Sequence, residues 1–98
     1  MVSITAVIRC RAGHEDTMAR ARLDVAQHVR DAEPDTRAFF VSREARDPRV
    51  FTTYERFTDT AAMDTHNHSA AVARFFATAT PILECEVVLH VCEEVWAT

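Results

Sequence analysis

The sequence contains no lysine, because all eleven of its basic residues are arginine. Chemistry that proceeds through a lysine Schiff base is therefore excluded. A single glycine and three prolines argue against flexible linkers and disordered segments. The chain also lacks any apolar run close to the ~20 residues that a transmembrane helix requires. These absences predict a chain of ordered elements with no membrane span.

The sequence also has few cysteines and only a small net charge. The three cysteines are odd in number and form no Cys-x-x-Cys pair, which makes a disulfide framework improbable. The net charge of −4 disfavours binding to nucleic acid or to an anionic membrane surface. No basic leader precedes the first apolar segment, so we expect a cytoplasmic protein.

Ninety-eight residues form one small domain, residues 1–98. The apolar pattern alternates between the two-residue repeat of strands and the 3.6-residue repeat of helices. It predicts, in order, a strand over Val2–Cys10, a helix over His14–Glu33, strands over Thr36–Glu44 and Val50–Phe57, two short helices that meet at residues 66–69, and a strand over Leu83–Trp96. The order β-α-β-β-α-β is the ferredoxin-like α+β fold, a four-stranded antiparallel sheet with helices on one face. A second copy would naturally cover the free face, so we expect a homodimer.

Local signals indicate where these elements end. Pro34 should stop the first helix, because the residue before a proline avoids the helical region. Thr58 or Asp59 is a suitable cap for the next helix, and Ser69 for the one after it. Gly13, the only glycine, is expected at a turn that needs a positive φ.

The third strand and the helix after it carry the candidate chemistry. Side chains on a strand alternate between faces, so one face presents Phe51, Thr53, Glu55 and Phe57. Residues i, i+3 and i+4 share one side of a helix, so the following helix can lay Met63 and His66 over that face. A carboxylate and an imidazole would then meet among aromatic rings. The carboxylate would raise the basicity of the imidazole, whereas burial would lower its pKa from about 6.5.

A set of residues spread over most of the chain resembles the antibiotic biosynthesis monooxygenase family of dimeric α+β barrel proteins. These residues are Glu33-Pro34-Asp35, Phe39-Phe40-Val41, Asp47-Pro48, Phe51, Tyr54-Glu55-Arg56-Phe57, Asp59, Ala62-Met63, His66 and Ser69. The family includes quinol monooxygenases and polyketide anthrone oxygenases. In such members a bound phenol or anthrone loses a proton, and the resulting anion reduces O2 directly. The resemblance thus implies a monooxygenase that acts on a small aromatic substrate and O2 with no metal or other cofactor.

The resemblance and the pattern together assign roles to eight residues. Glu55 and His66 are the expected catalytic pair, which handles the substrate proton. The residues expected to line the substrate slot are Phe40, Phe51, Thr53, Phe57, Met63 and Asn67. His66-Asn67-His68 is not expected to bind a metal, because residues i and i+2 of a helix point in different directions.

Other readings of the same residues stay open. Phe57 stands where many family members have tryptophan, and the residues that haem-degrading relatives use are absent. Another relative isomerises a phosphorylated sugar, and its tyrosine-glutamate strand and helix histidine are similar to Tyr54-Glu55 and His66. The alternative functions are therefore an isomerase of a small hydroxyketone and a non-catalytic dimer that binds a small ligand. Phenylalanines such as Phe40, Phe51 and Phe57 are more often core than pocket wall, and His66 could be a satisfied buried histidine.

Overall fold

The computed structural model describes residues 1–98 as a four-stranded sheet with three helices. The strands are β1 (Val2–Arg9), β2 (Thr36–Arg43), β3 (Val50–Phe57) and β4 (Val88–Glu93). The helices are α1 (Glu15–Ala32), α2 (Thr60–Asn67) and α3 (Ala70–Ala79), and a 3₁₀ turn follows at Thr80–Ile82. The strand order is β2-β3-β1-β4, and every neighbouring pair is antiparallel. The predicted ferredoxin-like α+β fold is confirmed.

The core lies between the helices and the sheet face turned toward them, which we call the inner face. Helix α1 buries one side, and its buried residues are Met18, Arg22, Val25 and Val29. They pack with inner-face residues such as Ile8 and Phe51 and with Phe75 of α3, all at most 2% exposed. Each large apolar side chain buried in this way stabilises the fold by about 1.5–3 kcal/mol. Arg22 is the one charged member of this apolar side of α1.

The predicted helix caps and turns are present. The Asp59 carboxylate accepts a 2.8 Å hydrogen bond from the backbone N–H of Ala62 at the start of α2. The Ser69 hydroxyl accepts one from Val72 at 3.2 Å and starts α3. Gly13 has a φ of 90°, which only glycine adopts without strain. These local contacts fix where α2 begins and therefore which of its residues face the sheet.

The last strand is shorter than predicted. Strand β4 covers Val88–Glu93 rather than Leu83–Trp96, and Leu83 makes only an isolated bridge to Cys10. Between that bridge and the Val7–Val88 pair, β1 has two residues and the other segment has four. Because the excess is an even number of residues, odd-numbered and even-numbered side chains keep their faces on both sides of the irregular segment. The alternation in the sequence therefore continues from Leu83 into β4.

The opposite sheet face, which we call the outer face, has no helix on it. Exposed apolar side chains on this face are Val7, Phe40, Tyr54 and Val88, between 37% and 61% exposed. The rings of Phe40 and Tyr54 stack with centroids 6.3 Å apart. The three helices of the protein include none with the length and apolar character needed to span a membrane.

Candidate functional site

Strand β3 presents the predicted row of side chains to the helices. Phe51, Thr53, Glu55 and Phe57 all lie on the inner face, and none is more than 5% exposed. Glu55 is thus a buried carboxylate in the middle of an apolar strand face. Its Oε2 accepts a 2.8 Å hydrogen bond from the Thr53 hydroxyl, two residues away on the same face. Thr53 therefore orients the carboxylate.

Helix α2 brings His66 onto that carboxylate. The Asp59 cap sets the phase of the helix, so Met63 and His66 are its buried residues. The Nε2 of His66 lies 3.1 Å from Oε1 of Glu55. The two ionisable groups that the sequence places on separate elements therefore do meet, and the His66 side chain is only 3% exposed.

A second carboxylate, Glu33, holds the other side of the imidazole. It follows the end of α1, and its Oε1 lies 2.8 Å from Nδ1 of His66 and accepts a 2.7 Å hydrogen bond from the Thr36 hydroxyl. Its Oε2 lies 2.9 Å from Nε2 of His28. Sequence reasoning missed Glu33 as a site residue, although the Glu33-Pro34 pair is part of the family resemblance. His28 is 30% exposed and contacts this carboxylate.

The contacts with Glu55 and Glu33 favour the protonated form of His66. Ionised carboxylates only accept hydrogen bonds, so an imidazole flanked by two of them is stable with both nitrogens protonated. Burial lowers the pKa of His66, but the hydrogen bonds and charges of Glu55 and Glu33 outweigh burial and raise the pKa above its ordinary value. Both ring nitrogens of His66 face carboxylate oxygens, and the raised pKa favours the protonated ring.

Arg22 completes the buried cluster from α1. Its Nη2 lies 3.5 Å from Oε2 of Glu55, and both side chains are at most 7% exposed. The guanidinium also lies 4.5 Å from the centroid of the Phe75 ring and 5.3 Å from that of Phe39. Desolvation lowers the pKa of Arg22, against the opposing effect of Glu55. A charged residue on the apolar side of a helix is the signal by which the sequence could have identified it.

A small cavity of about 40 Å³ lies beside this cluster, between β1, β4 and α3. Its polar lining comes from Arg22, Glu55, His66 and Asn67. The apolar lining residues are Ile4, Ala6, Ile8, Val72, Phe75, Phe76, Val87 and Leu89. This volume exceeds the roughly 10–15 Å³ that one water needs by the same measure. Two of its lining residues, Phe76 and Leu89, are 43% and 48% exposed and form its rim.

The structure distributes the predicted slot residues over several places. Of these, only Asn67 lines the cavity. Phe57 packs against the His66 ring, with centroids 5.3 Å apart, and forms a small core cluster with Met63 and Ile4. Phe51 belongs to the main core.

The prediction that Phe40 lines the substrate slot is wrong. Phe40 lies on the outer face and is 61% exposed, so it cannot line a slot between the helices and the sheet. Its neighbour Phe39 takes the inner position, with its ring centroid 5.6 Å from that of His66. Two adjacent phenylalanines on a strand must face opposite ways, and the sequence pattern alone does not choose between them.

The fold and the buried cluster of carboxylate, imidazole and guanidinium groups describe a small ferredoxin-like protein with an internal polar site. The model of the antibiotic biosynthesis monooxygenase family matches residues 1–78. The chain belongs to the antibiotic biosynthesis monooxygenase family. No curated protein matches it.

Solved structures show the same fold. Rv0793 from Mycobacterium tuberculosis superposes with a TM-score of 0.90 at 20% identity, over 98% of this chain and 96% of that one. A crystal structure of an antibiotic biosynthesis monooxygenase gives a TM-score of 0.89 at 19% identity, over 97% of this chain and 99% of that one. PA3566 from Pseudomonas aeruginosa gives 0.87 at 20% identity, over 97% and 94% of the two chains. Likeness at this level of identity concerns the fold.

Proposed function

We propose that the protein is a cofactor-independent monooxygenase that oxidises a quinol or a polycyclic phenol or anthrone with O2. The observation that carries the proposal is the meeting of Glu55 and His66, 3.1 Å apart, at the wall of a mostly apolar cavity. Family membership supports the same class of reaction. The substrate itself supplies the electrons, so the protein has to provide a base, a place for the anion and exclusion of water.

In this proposal Glu55 is the base and His66 supports it. The acidic bond of the substrate breaks and its proton forms an O–H bond on Glu55. The resulting anion transfers electrons to O2, and for an anthrone the net change is CH2 + O2 → C=O + H2O. His66 lies 3.1 Å from Glu55 through Nε2 and 2.8 Å from Glu33 through Nδ1, so it fixes the position of the Glu55 carboxylate.

Oxygen uptake with a panel of hydroquinones and anthrones, without added metal or flavin, tests the reaction. We expect uptake with the unmodified protein, and its loss in His66→Ala, because Glu55 then loses the side chain that positions its carboxylate. A loss of 10²-fold or more is the usual effect of disabling acid–base machinery.

His14→Ala is the matched control, since His14 is exposed and makes no side-chain cap contact at the start of α1. Circular dichroism should show that both variants fold. Equal rates in His66→Ala and the unmodified protein would contradict a role for His66 in turnover.

The small cavity favours a second candidate function. A volume of about 40 Å³ suits a compact hydroxyketone better than a tricyclic ring. The same carboxylate could abstract a proton next to a carbonyl and so isomerise such a substrate. Exchange of that proton with deuterated water, followed by NMR without O2, would identify this activity. Binding of a small aromatic ligand with neither exchange nor oxygen uptake would point to the non-catalytic alternative.

We also propose that the protein is a homodimer and that it works in the cytoplasm. The outer face presents the stacked Phe40 and Tyr54 rings to solvent and also exposes Val7 and Val88, and burial of these apolar side chains against another copy would be favourable. In such a dimer the outer faces of the two copies would pack against each other around a two-fold axis. Three free cysteines suit a reducing compartment.

A further inference from the structure

Arg22 is a buried cation whose hydrogen-bonding capacity is only partly used by the protein. Its residue exposure is 6%, and its Nε is fully buried without a hydrogen-bond partner. Its ion pair with Glu55 spans 3.5 Å, which is longer than a good charge-assisted hydrogen bond of about 2.7–2.9 Å. An unsatisfied buried donor is unfavourable, and more so when it is charged. We therefore expect a ligand that enters the cavity to supply a hydrogen-bond partner for Arg22.

The surroundings of Arg22 indicate what that partner is. Arg22 lines the same cavity as Glu55 and His66, and most of the remaining lining is apolar. Phe39 and Phe75 lie against the guanidinium and hold it in place. A guanidinium held in this way presents its N–H groups to an oxygen anion in a fixed geometry. The apolar lining accepts a hydrophobic body attached to that oxygen.

We propose that Arg22 is a positioning residue that binds the ionised oxygen of the aromatic hydroxyl ligand of the proposed function. The proposal deepens the proposed function, on which it rests for the choice of an aromatic ligand. The ligand O–H bond breaks and an O–H bond forms on Glu55, which becomes neutral. Arg22 then exchanges one anionic partner, Glu55, for another, the phenolate.

This exchange keeps the charge of the buried cluster constant. Before binding, the positive charges of Arg22 and His66 face the negative charges of Glu55 and Glu33. After the proton moves, the phenolate carries the negative charge that Glu55 has lost. A low-dielectric site strongly disfavours any change in net charge. Ionisation of the ligand is therefore easiest when the net charge of the buried cluster stays the same.

Binding of 4-nitrophenol without O2 tests the assignment, because its phenolate absorbs at longer wavelength than the phenol. We expect the protein to bind the phenolate and to lower the apparent pKa of the bound probe. The neutral methyl ether 4-nitroanisole should bind at least tenfold more weakly. The N–H resonance of Arg22 Nε in the unmodified protein should shift downfield on binding, whereas that of Arg74, an exposed arginine paired with Asp24, should not.

Variants provide the second arm of the test. Arg22→Met should weaken phenolate binding at least tenfold and leave the ether unaffected, while Arg74→Met should bind as the unmodified protein does. Absence of phenolate binding, a neutral spectrum of the bound probe, or an unmoved Arg22 resonance would overturn the proposal. These readouts need no turnover. Phenolate binding at Arg22 without oxygen uptake would contradict only the oxygenase function, and uptake that is unchanged in Arg22→Met would contradict only the role of Arg22.

Discussion

At the scale of single residues, the site depends on a buried row of alternating charges. Glu33, His66, Glu55 and Arg22 lie in series, and each neighbouring pair is within 3.5 Å. Buried ion pairs are costly to desolvate, and removal of one member leaves an uncompensated charge. The row therefore contributes more to a defined site geometry than to net stability.

The raised pKa of His66 predicts how stability depends on pH. The folded protein binds a proton more tightly at His66 than the unfolded chain, whose histidine titrates near 6.5. This contribution is complete below about pH 6.5 and is lost as the pH rises through the folded-state pKa, with a slope of at most about 1.4 kcal/mol per pH unit. We expect the free energy of unfolding, measured in urea, to fall over that window.

His66→Gln should remove this pH dependence, and His14→Gln should retain it. A flat profile in the unmodified protein across the same window would show that His66 is not stabilised as a cation. The measurement is independent of any substrate, so it tests the charge state of the site by itself.

Residue types and spacing were enough to predict part of the site. The two-residue alternation of β3 placed Glu55 inward, and the helical spacing after Asp59 placed His66 over it. Glu33 and Arg22 were missed as site residues, because their contacts join positions 33 apart in sequence that only the folded chain brings together. Phe40 was assigned to the wrong face, since adjacent phenylalanines leave the phase of β2 open.

At the scale of elements, the position of His66 depends on the start of α2. That helix has only eight residues, so its own hydrogen bonds give it little stability and the cap matters. The Asp59 carboxylate satisfies the N–H of Ala62 at 2.8 Å. Loss of the cap lets the first turn fray and loosens the element that carries His66.

Asp59→Ala should therefore lower the free energy of unfolding by about 1 kcal/mol. Urea denaturation measures this change. Asp64→Ala is the matched control, because Asp64 is exposed within the same helix and is not its cap. Equal losses in the two variants would mean that the effect comes from charge or helix propensity and not from the cap.

At the scale of the whole molecule, the helices cover one face of the sheet and leave the other to solvent. A domain of 98 residues buries a modest share of its surface, so covering the outer face by a second copy would add substantially to its stability. The proposed dimer also accounts for the position of Tyr54, which lies on the opposite side of β3 from Glu55 and is 37% exposed.

Tyr54→Glu should convert the protein from a dimer to a monomer, because it buries an unpaired charge in the proposed interface. Light scattering coupled to size-exclusion chromatography measures the mass. Ala73→Glu, an exposed position on α3, should leave the mass unchanged. A mass of one chain, 11.1 kDa, for the unmodified protein at micromolar concentration would contradict the dimer.

The two surplus residues before β4 have a consequence for how this fold can diversify. Val87 and Leu89, on either side of the junction with β4, both line the cavity. Because side chains alternate, lengthening or shortening residues 84–87 by an even number keeps every later side chain on its present side of the sheet. A change by an odd number of residues would move every side chain of β4 to the opposite face of the sheet. Evolution or design can therefore reshape the cavity mouth in steps of two residues without rebuilding the rest of the domain.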